Sequence, residues 1–227
     1  MRKINLTILS FIFFPLLVLG QSIDKKKTVG FTFSPNYCNM INNSEYNTII
    51  TPRFGFTTGV SLWFKKSEKL YIESGLLFSN FGIRFIDNNP TYITNSEERI
   101  YNYYSVNIPV KVKYMLTTGK AKFYLSGGGA LNWLLATRYR IKLEYNGGYI
   151  HSEDDTDFDV VIIPLPNLIV GIGAKFDLNE KVFVKIEPTL RCTPNMEGIL
   201  SSNPTSFAIN NPYYSAGVDF GIYYTIK

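Results

Sequence analysis

Through most of the chain after residue 20, apolar and polar residues alternate with a period of two, which gives a strand one greasy and one wet face. The terminal run Tyr214 to Lys227 is the plainest case. Tyr214, Ala216, Val218, Phe220, Ile222, Tyr224 and Ile226 share one face, and mostly small or polar residues hold the other. The pattern predicts about eight strands: Val29 to Tyr37, Arg53 to Lys65, Leu70 to Asn80, Tyr101 to Leu116, Ala121 to Ala136, a sixth ending in Leu168 to Leu178, Lys181 to Cys192, and the terminal run. Gly, Thr and β-branched residues interrupt any helical period within them.

The connections sharpen this picture. Lys66-Ser67-Glu68, Thr117-Thr118-Gly119 and Asn179-Glu180 read as tight hairpin turns. The other four, roughly Asn39 to Pro52, Asp87 to Glu98, Thr137 to Asp159 and Thr193 to Asn211, read as long polar loops. Long and short alternate strictly, as outer loops and periplasmic turns do in an outer-membrane barrel. The expectation is an all-β fold, an eight-stranded antiparallel up-and-down transmembrane β-barrel with both termini in the periplasm. Closure against lipid also removes the aggregation hazard of an apolar last strand left open in water. One stretch resists. Val160 to Ala174 is strongly apolar, yet Pro164 and Pro166 bar a helix and each removes a ladder donor, which predicts a bulge or an irregular rim. Pro109 and Pro188 pose the same problem more mildly.

The first twenty residues set the compartment. Arg2 and Lys3 precede an apolar run from Ile4 to Leu19, and Val18-Leu19-Gly20 offers a small-residue cleavage pattern. The run contains Asn5, Thr7, Ser10 and Pro15 and is shorter than the roughly 20 apolar residues of a membrane span, so it reads as a secretory leader over 1–20. Gln21, not Cys, follows, which argues against a lipoprotein anchor there. Residues 21–227 then form one barrel domain. Loss of Arg2 and Lys3 lowers the formal charge from +5 to +3, too mild to imply a nucleic-acid partner. Aromatic residues make up 15% of the chain, enough to furnish girdles at both membrane interfaces. Two cysteines face an oxidising compartment, but strand parity turns Cys38 inward and Cys192 towards lipid, which argues against a bridge.

Asn107-Ile108-Pro109-Val110-Lys111-Val112-Lys113-Tyr114 resembles the I-P-x-x-x-K-Y strand of the small outer-membrane β-barrel proteins of Bacteroidetes, the PorT family. Ser126-Gly127-Gly128-Gly129-Ala130 is similar to that family's Gly-rich fifth strand. Gly221, Tyr224 and Ile226 match the G-x-x-Φ-x-Φ ending by which the barrel-assembly machinery recognises clients, although Lys227 follows where many barrels stop on an aromatic residue. The resemblance implies a role in the outer membrane, in contact with lipid, lipopolysaccharide and the assembly machinery, with a weaker link to secretion or envelope partners.

Candidate chemistry is sparse. His151 stands beside Ser152, Glu153, Asp154 and Asp155, but neighbours on one loop rarely achieve the geometry of a catalytic triad. Asp155, Asp157 and Asp159 have the first spacings of an EF-hand loop, yet Val160 and Pro166 stand where its Gly and Glu belong. A solvated face or a loose divalent-ion contact at the lipopolysaccharide surface both fit that run. No cofactor is expected. The inward charges Glu73, Lys111, Lys113, Lys175, Asp177, Lys185, Glu187, Arg191 and Asp219 are expected to share a lumen just wide enough for side chains, as paired ions or around water. A non-enzymatic barrel plugged by charged pairs is the leading expectation. A membrane-embedded hydrolase or acyltransferase, a narrow pore and a soluble lipocalin-like carrier are the alternatives.

Overall fold

The computed structural model describes residues 27–40, 48–87, 94–145, 148, 150–157, 165–193 and 212–226. The expected leader over 1–20, most of the Thr193 to Asn211 connection, Pro164 and Lys227 lie outside the described residues. Nine antiparallel strands follow in order: β1 (Lys27–Met40), β2 (Thr48–Lys65), β3 (Leu70–Asp87), β4 (Thr94–Met115), β5 (Ala121–Tyr145), β6 (Ile150–Asp157), β7 (Leu165–Asp177), β8 (Val182–Thr193) and β9 (Tyr213–Ile226). Eight of them close a ring. β1 to β5 pair in sequence, β5 pairs β7, β7 pairs β8, β8 pairs β9, and β9 returns to β1 with Val29 opposite Tyr224. β6 stands outside the ring, paired to the far end of β5 from Thr137↔Asp157 to Glu144↔Ile150.

The alternation that predicted the strands also sorts their faces. Phe31, Val60, Leu76, Val112, Leu125, Ile172 and Ile222 point outward and stay about half exposed, as side chains that meet lipid do. Thr32, Ser61, Glu73, Lys111, Ser126 and Lys185, at the other parity, are buried inside. Three short turns join β2 to β3, β4 to β5 and β7 to β8. Gly119 takes a left-handed φ of 113° in the second, and in the third Asn179 Oδ1 accepts from the backbone N–H groups of Lys181 and Val182, each at 2.8 Å.

Two expectations need correction. Thr137 to Asp159 is not a polar loop: β5 continues to Tyr145 and turns back as β6. The cause is a period of two carried past the membrane, with Tyr139, Ile141 and Leu143 alternating with Arg138, Arg140 and Lys142. Likewise β3 runs to Asp87 and β4 starts at Thr94, so the part of the expected Asp87 to Glu98 loop from Thr94 to Glu98 is strand. The second correction concerns proline. Pro166 sits in register opposite Leu131 without a bulge, and the ladder from β7 to β8 begins only at Leu168. Pro109 and Pro188 are absorbed without slippage as well. Each falls where the ladder to one neighbour skips two residues and resumes in the same register, between Ser74↔Val110 and Leu77↔Asn107, and between Gly171↔Thr189 and Ala174↔Ile186. The register shifts lie elsewhere, between Pro52 and Phe56 on β2, between Thr94 and Ser96 on β4, and opposite the Tyr104–Ser105 step of β4.

Candidate functional site: the lumen

Three layers fill the barrel. Nearest the short turns, Trp63, Met115, Tyr124, Phe183 and Tyr223 form a buried aromatic cluster, with Tyr71 packed against it. At the far end Met40, Ile83, Phe85, Tyr103, Leu134, Leu165 and Tyr213 form a second. Between them lies the charge layer.

Glu187, from β8, is its hub. Its carboxylate accepts from Lys113 Nζ, Lys111 Nζ (3.3 Å), Lys185 Nζ (3.4 Å), Tyr124 OH (3.0 Å) and Ser126 Oγ (2.6 Å). Glu73, from β3, takes Lys113 at 2.8 Å and Lys185 at 2.7 Å, with Lys111 at 3.3 Å. Asp219, from β9, holds Lys111 at 3.2 Å and Arg191 at 3.0 Å. Four cations thus share three carboxylates, the seven groups coming from four different strands, and every carboxylate meets two or more cations. That density of pairing offsets a desolvation cost of several kcal/mol per ion, which a single buried pair rarely recovers. The aromatic cluster contributes too, since Lys113 Nζ lies 4.2 Å from the Tyr124 ring centroid and 4.7 Å from that of Trp63.

Neutral groups continue the network outward. Tyr223 OH donates to Glu73 Oε1 at 3.2 Å and meets Thr32 Oγ1 at 2.9 Å, while Thr57, Ser79 and Asn107 form a chain with links of 2.8 and 2.6 Å. Beside them is a cavity of about 30 Å³, reached by Glu73, Lys111, Asn107 and Asp219, with room for one or two waters.

Of the nine charges expected in the lumen, seven meet in this layer. Lys175 and Asp177 do not. They lie near the short turns, where Asp177 takes Lys175 at 2.7 Å and Lys122 at 2.9 Å. Aromatic residues, expected mainly as outer girdles, prove to fill both ends of the interior. The missing signal was parity: Trp63, Tyr71, Tyr124, Phe183 and Tyr223 share the inward phase of the charged residues on their own strands.

The other candidates are scattered. His151 is exposed on β6, opposite Leu143. Asp154, also on β6, is clamped by Arg138 at 2.8 Å and Arg140 at 2.9 Å. Those hydrogen bonds hold its carboxyl down at about 2. Cys38 is buried and gives its thiol to Asn36 Oδ1, while Cys192 is exposed on the outer wall. Cys38 pairs Ser215 on β9, and β8 is the next strand over, so two strand spacings of about 4.8 Å each separate the cysteines, beyond the reach of a disulfide. Gly221 faces inward, and Tyr224 and Ile226 face out at the β1–β9 seam, opposite Val29 and Lys27.

Solved outer-membrane barrels resemble this chain weakly in sequence. Neisserial surface protein A is 13% identical over 88% of this chain and 99% of its own, with a TM-score of 0.47. Ail, the attachment invasion locus protein of Yersinia pestis, is 12% identical over 90% and 100%, with a TM-score of 0.38. The N-terminal β-barrel domain of OprF from Pseudomonas aeruginosa is 10% identical over 87% and 97%, with a TM-score of 0.37. No curated protein matches. The family model for the outer membrane protein beta-barrel domain matches residues 20–197, and with the closed ring of eight strands it establishes that this chain belongs to that family.

Proposed function

We propose that the protein is a non-enzymatic, non-conducting outer-membrane barrel that serves the envelope through its wall and its projecting strands. The observation that carries the reading is the charge layer held between two aromatic clusters. A permeant ion would have to displace paired lysines and then pass rings packed to a few per cent exposure. Nothing in the geometry favours a catalytic His151, which is exposed on β6 opposite Leu143 while the nearby Asp154 carboxylate is taken up by Arg138 and Arg140. What remains for recognition is the region beyond the membrane. β4 and β5 contain 22 and 25 residues, about twice the 9 to 11 a tilted spanning strand needs.

In this reading the short turns and both termini face the periplasm, lipid and lipopolysaccharide surround the wall, and the Gly221, Tyr224, Ile226 ending serves the assembly machinery. The likeness of Asn107 to Tyr114 to PorT-type barrels of Bacteroidetes makes an envelope or secretion protein the partner of choice for the projecting strands. Planar-bilayer recording tests the core of the proposal. Protein whose heat-modifiable mobility shows it folded is expected to give no conductance steps, before or after Lys111→Glu. Steps from the unaltered protein would overturn it.

A further inference from the structure

A second cavity, of about 440 Å³, opens at the short-turn end of the lumen, on the far side of the aromatic cluster from the charge layer. Its size falls in the range of small-molecule sites, roughly 300–1,000 Å³. Tyr71, Val182 and Leu178 supply accessible apolar surface above a buried floor of Trp63 and Phe183. Trp63 and Phe183 are held rigidly at 5.2 Å between centroids, and Phe183 stacks on Tyr223 at 4.8 Å. The rim is basic: Lys65, Lys120, Lys175 and Lys181 face two carboxylates, Asp177 and Glu180. Asp177 is already neutralised by Lys175 and Lys122. Lys175 also lies 4.3 Å from the centroid of the Phe183 ring, which places positive charge directly beside the apolar surface. Lys120 and Lys181 are exposed and carry no ion pair among the described residues.

We propose that this mouth binds a small soluble anion with a flat apolar body, an aryl phosphate or aromatic carboxylate by chemical class. The body would lie against Tyr71, Val182 and Leu178, and the anion would meet Lys120 and Lys181 in charge-assisted contacts. The cavity belongs to the inward parity of the strands, with Thr28, Trp63, Lys175 and Phe183 all buried, while the alternate residues Leu62 and Phe176 face out. A lipid headgroup at the outer wall therefore does not reach it, and a solute does. The proposal is independent of which side of the membrane the turns face and of whether the barrel conducts.

Isothermal titration of the folded protein in nanodiscs with 1-naphthyl phosphate tests it, with 1-naphthol and inorganic phosphate as half-ligands and empty nanodiscs as the blank. Saturable binding of 1-naphthyl phosphate is expected, weaker by fivefold or more for either half-ligand and weakened again as salt rises. The exposed double variant Lys120→Gln/Lys181→Gln, which touches nothing in the lumen, is expected to lose about fivefold in affinity, the order of two exposed ion contacts. No saturable binding, equal binding of 1-naphthol, or unchanged affinity in the double variant would each overturn the proposal.

Discussion

Glu187 shows what a single side chain carries in this interior. Three lysines, a tyrosine and a serine contact its carboxylate, and all five are buried. Glu187→Gln leaves the lysines in place with one charge fewer between them, and we expect a loss of about 3–5 kcal/mol, the usual consequence of breaking a buried ion pair from one side. Urea unfolding in lipid vesicles, followed by gel mobility, measures it. Glu68→Gln removes an exposed pair on a turn and should leave the midpoint where it is. Gly30 makes a different demand, because a Cβ there would sit 2.3 Å from the ring of Tyr223, its cross-strand partner, and 2.4 Å from the backbone carbonyl of Ile222. Gly30→Val is expected to cost about 1–3 kcal/mol through overpacking. A Tyr223→Ala background should remove the ring's share of that cost in a double-mutant cycle and leave the share due to the Ile222 carbonyl, and simple additivity would refute the ring as a contributor.

At the scale of elements, the β5–β6 hairpin depends on few contacts, and Asp154 is prominent among them. Its carboxyl has a lower pKa in the folded hairpin than the ordinary 3.8, so the clamp by Arg138 and Arg140 is fully present above about 4 and fades as pH falls through about 2. Amide exchange across Ile150–Asp157 should therefore be flat from neutral pH to about 4, after correction for intrinsic rates, and lose protection below. Asp154→Asn should show that loss already at pH 7. This hairpin was also the element least visible in the sequence. The spanning strands announced themselves because lipid demands apolar residues at every second position. Beyond the membrane, the outward face of Arg138 to Glu144 is charged, and the run reads as a polar loop although its inward face keeps the period. Strand prolines misled in the other direction, since an antiparallel ladder gives up two pairings beside Pro109 or Pro188 and resumes in register. The charge layer was legible because parity alone sends seven ions inward. Its separation from Lys175 and Asp177 was not, because height along a tilted barrel depends on the stagger between strands, which no single strand encodes.

At the scale of the whole molecule, the outward cysteine and the buried one report on closure. Cys192 is expected to react with a small lipid-soluble maleimide in the folded protein, whereas Cys38 reacts only after unfolding, and mobility should be the same with and without reductant. A reductant-sensitive monomer band would mean that the two cysteines come together. The ring is closed by β1 and β9, the first and last strands described, and among the side chains that cross this seam is Tyr223, whose hydroxyl reaches both Thr32 on β1 and Glu73 on β3. Joining the ends and delivering the third carboxylate of the charge layer are therefore one event. A nascent chain that has not yet delivered its final strand lacks Asp219 as well as Tyr223, and its Lys111 and Arg191 have no carboxylate on that side. Such an intermediate would bury four cations against two carboxylates, so the strand that seals the wall is also the one that brings the missing counter-charge inside.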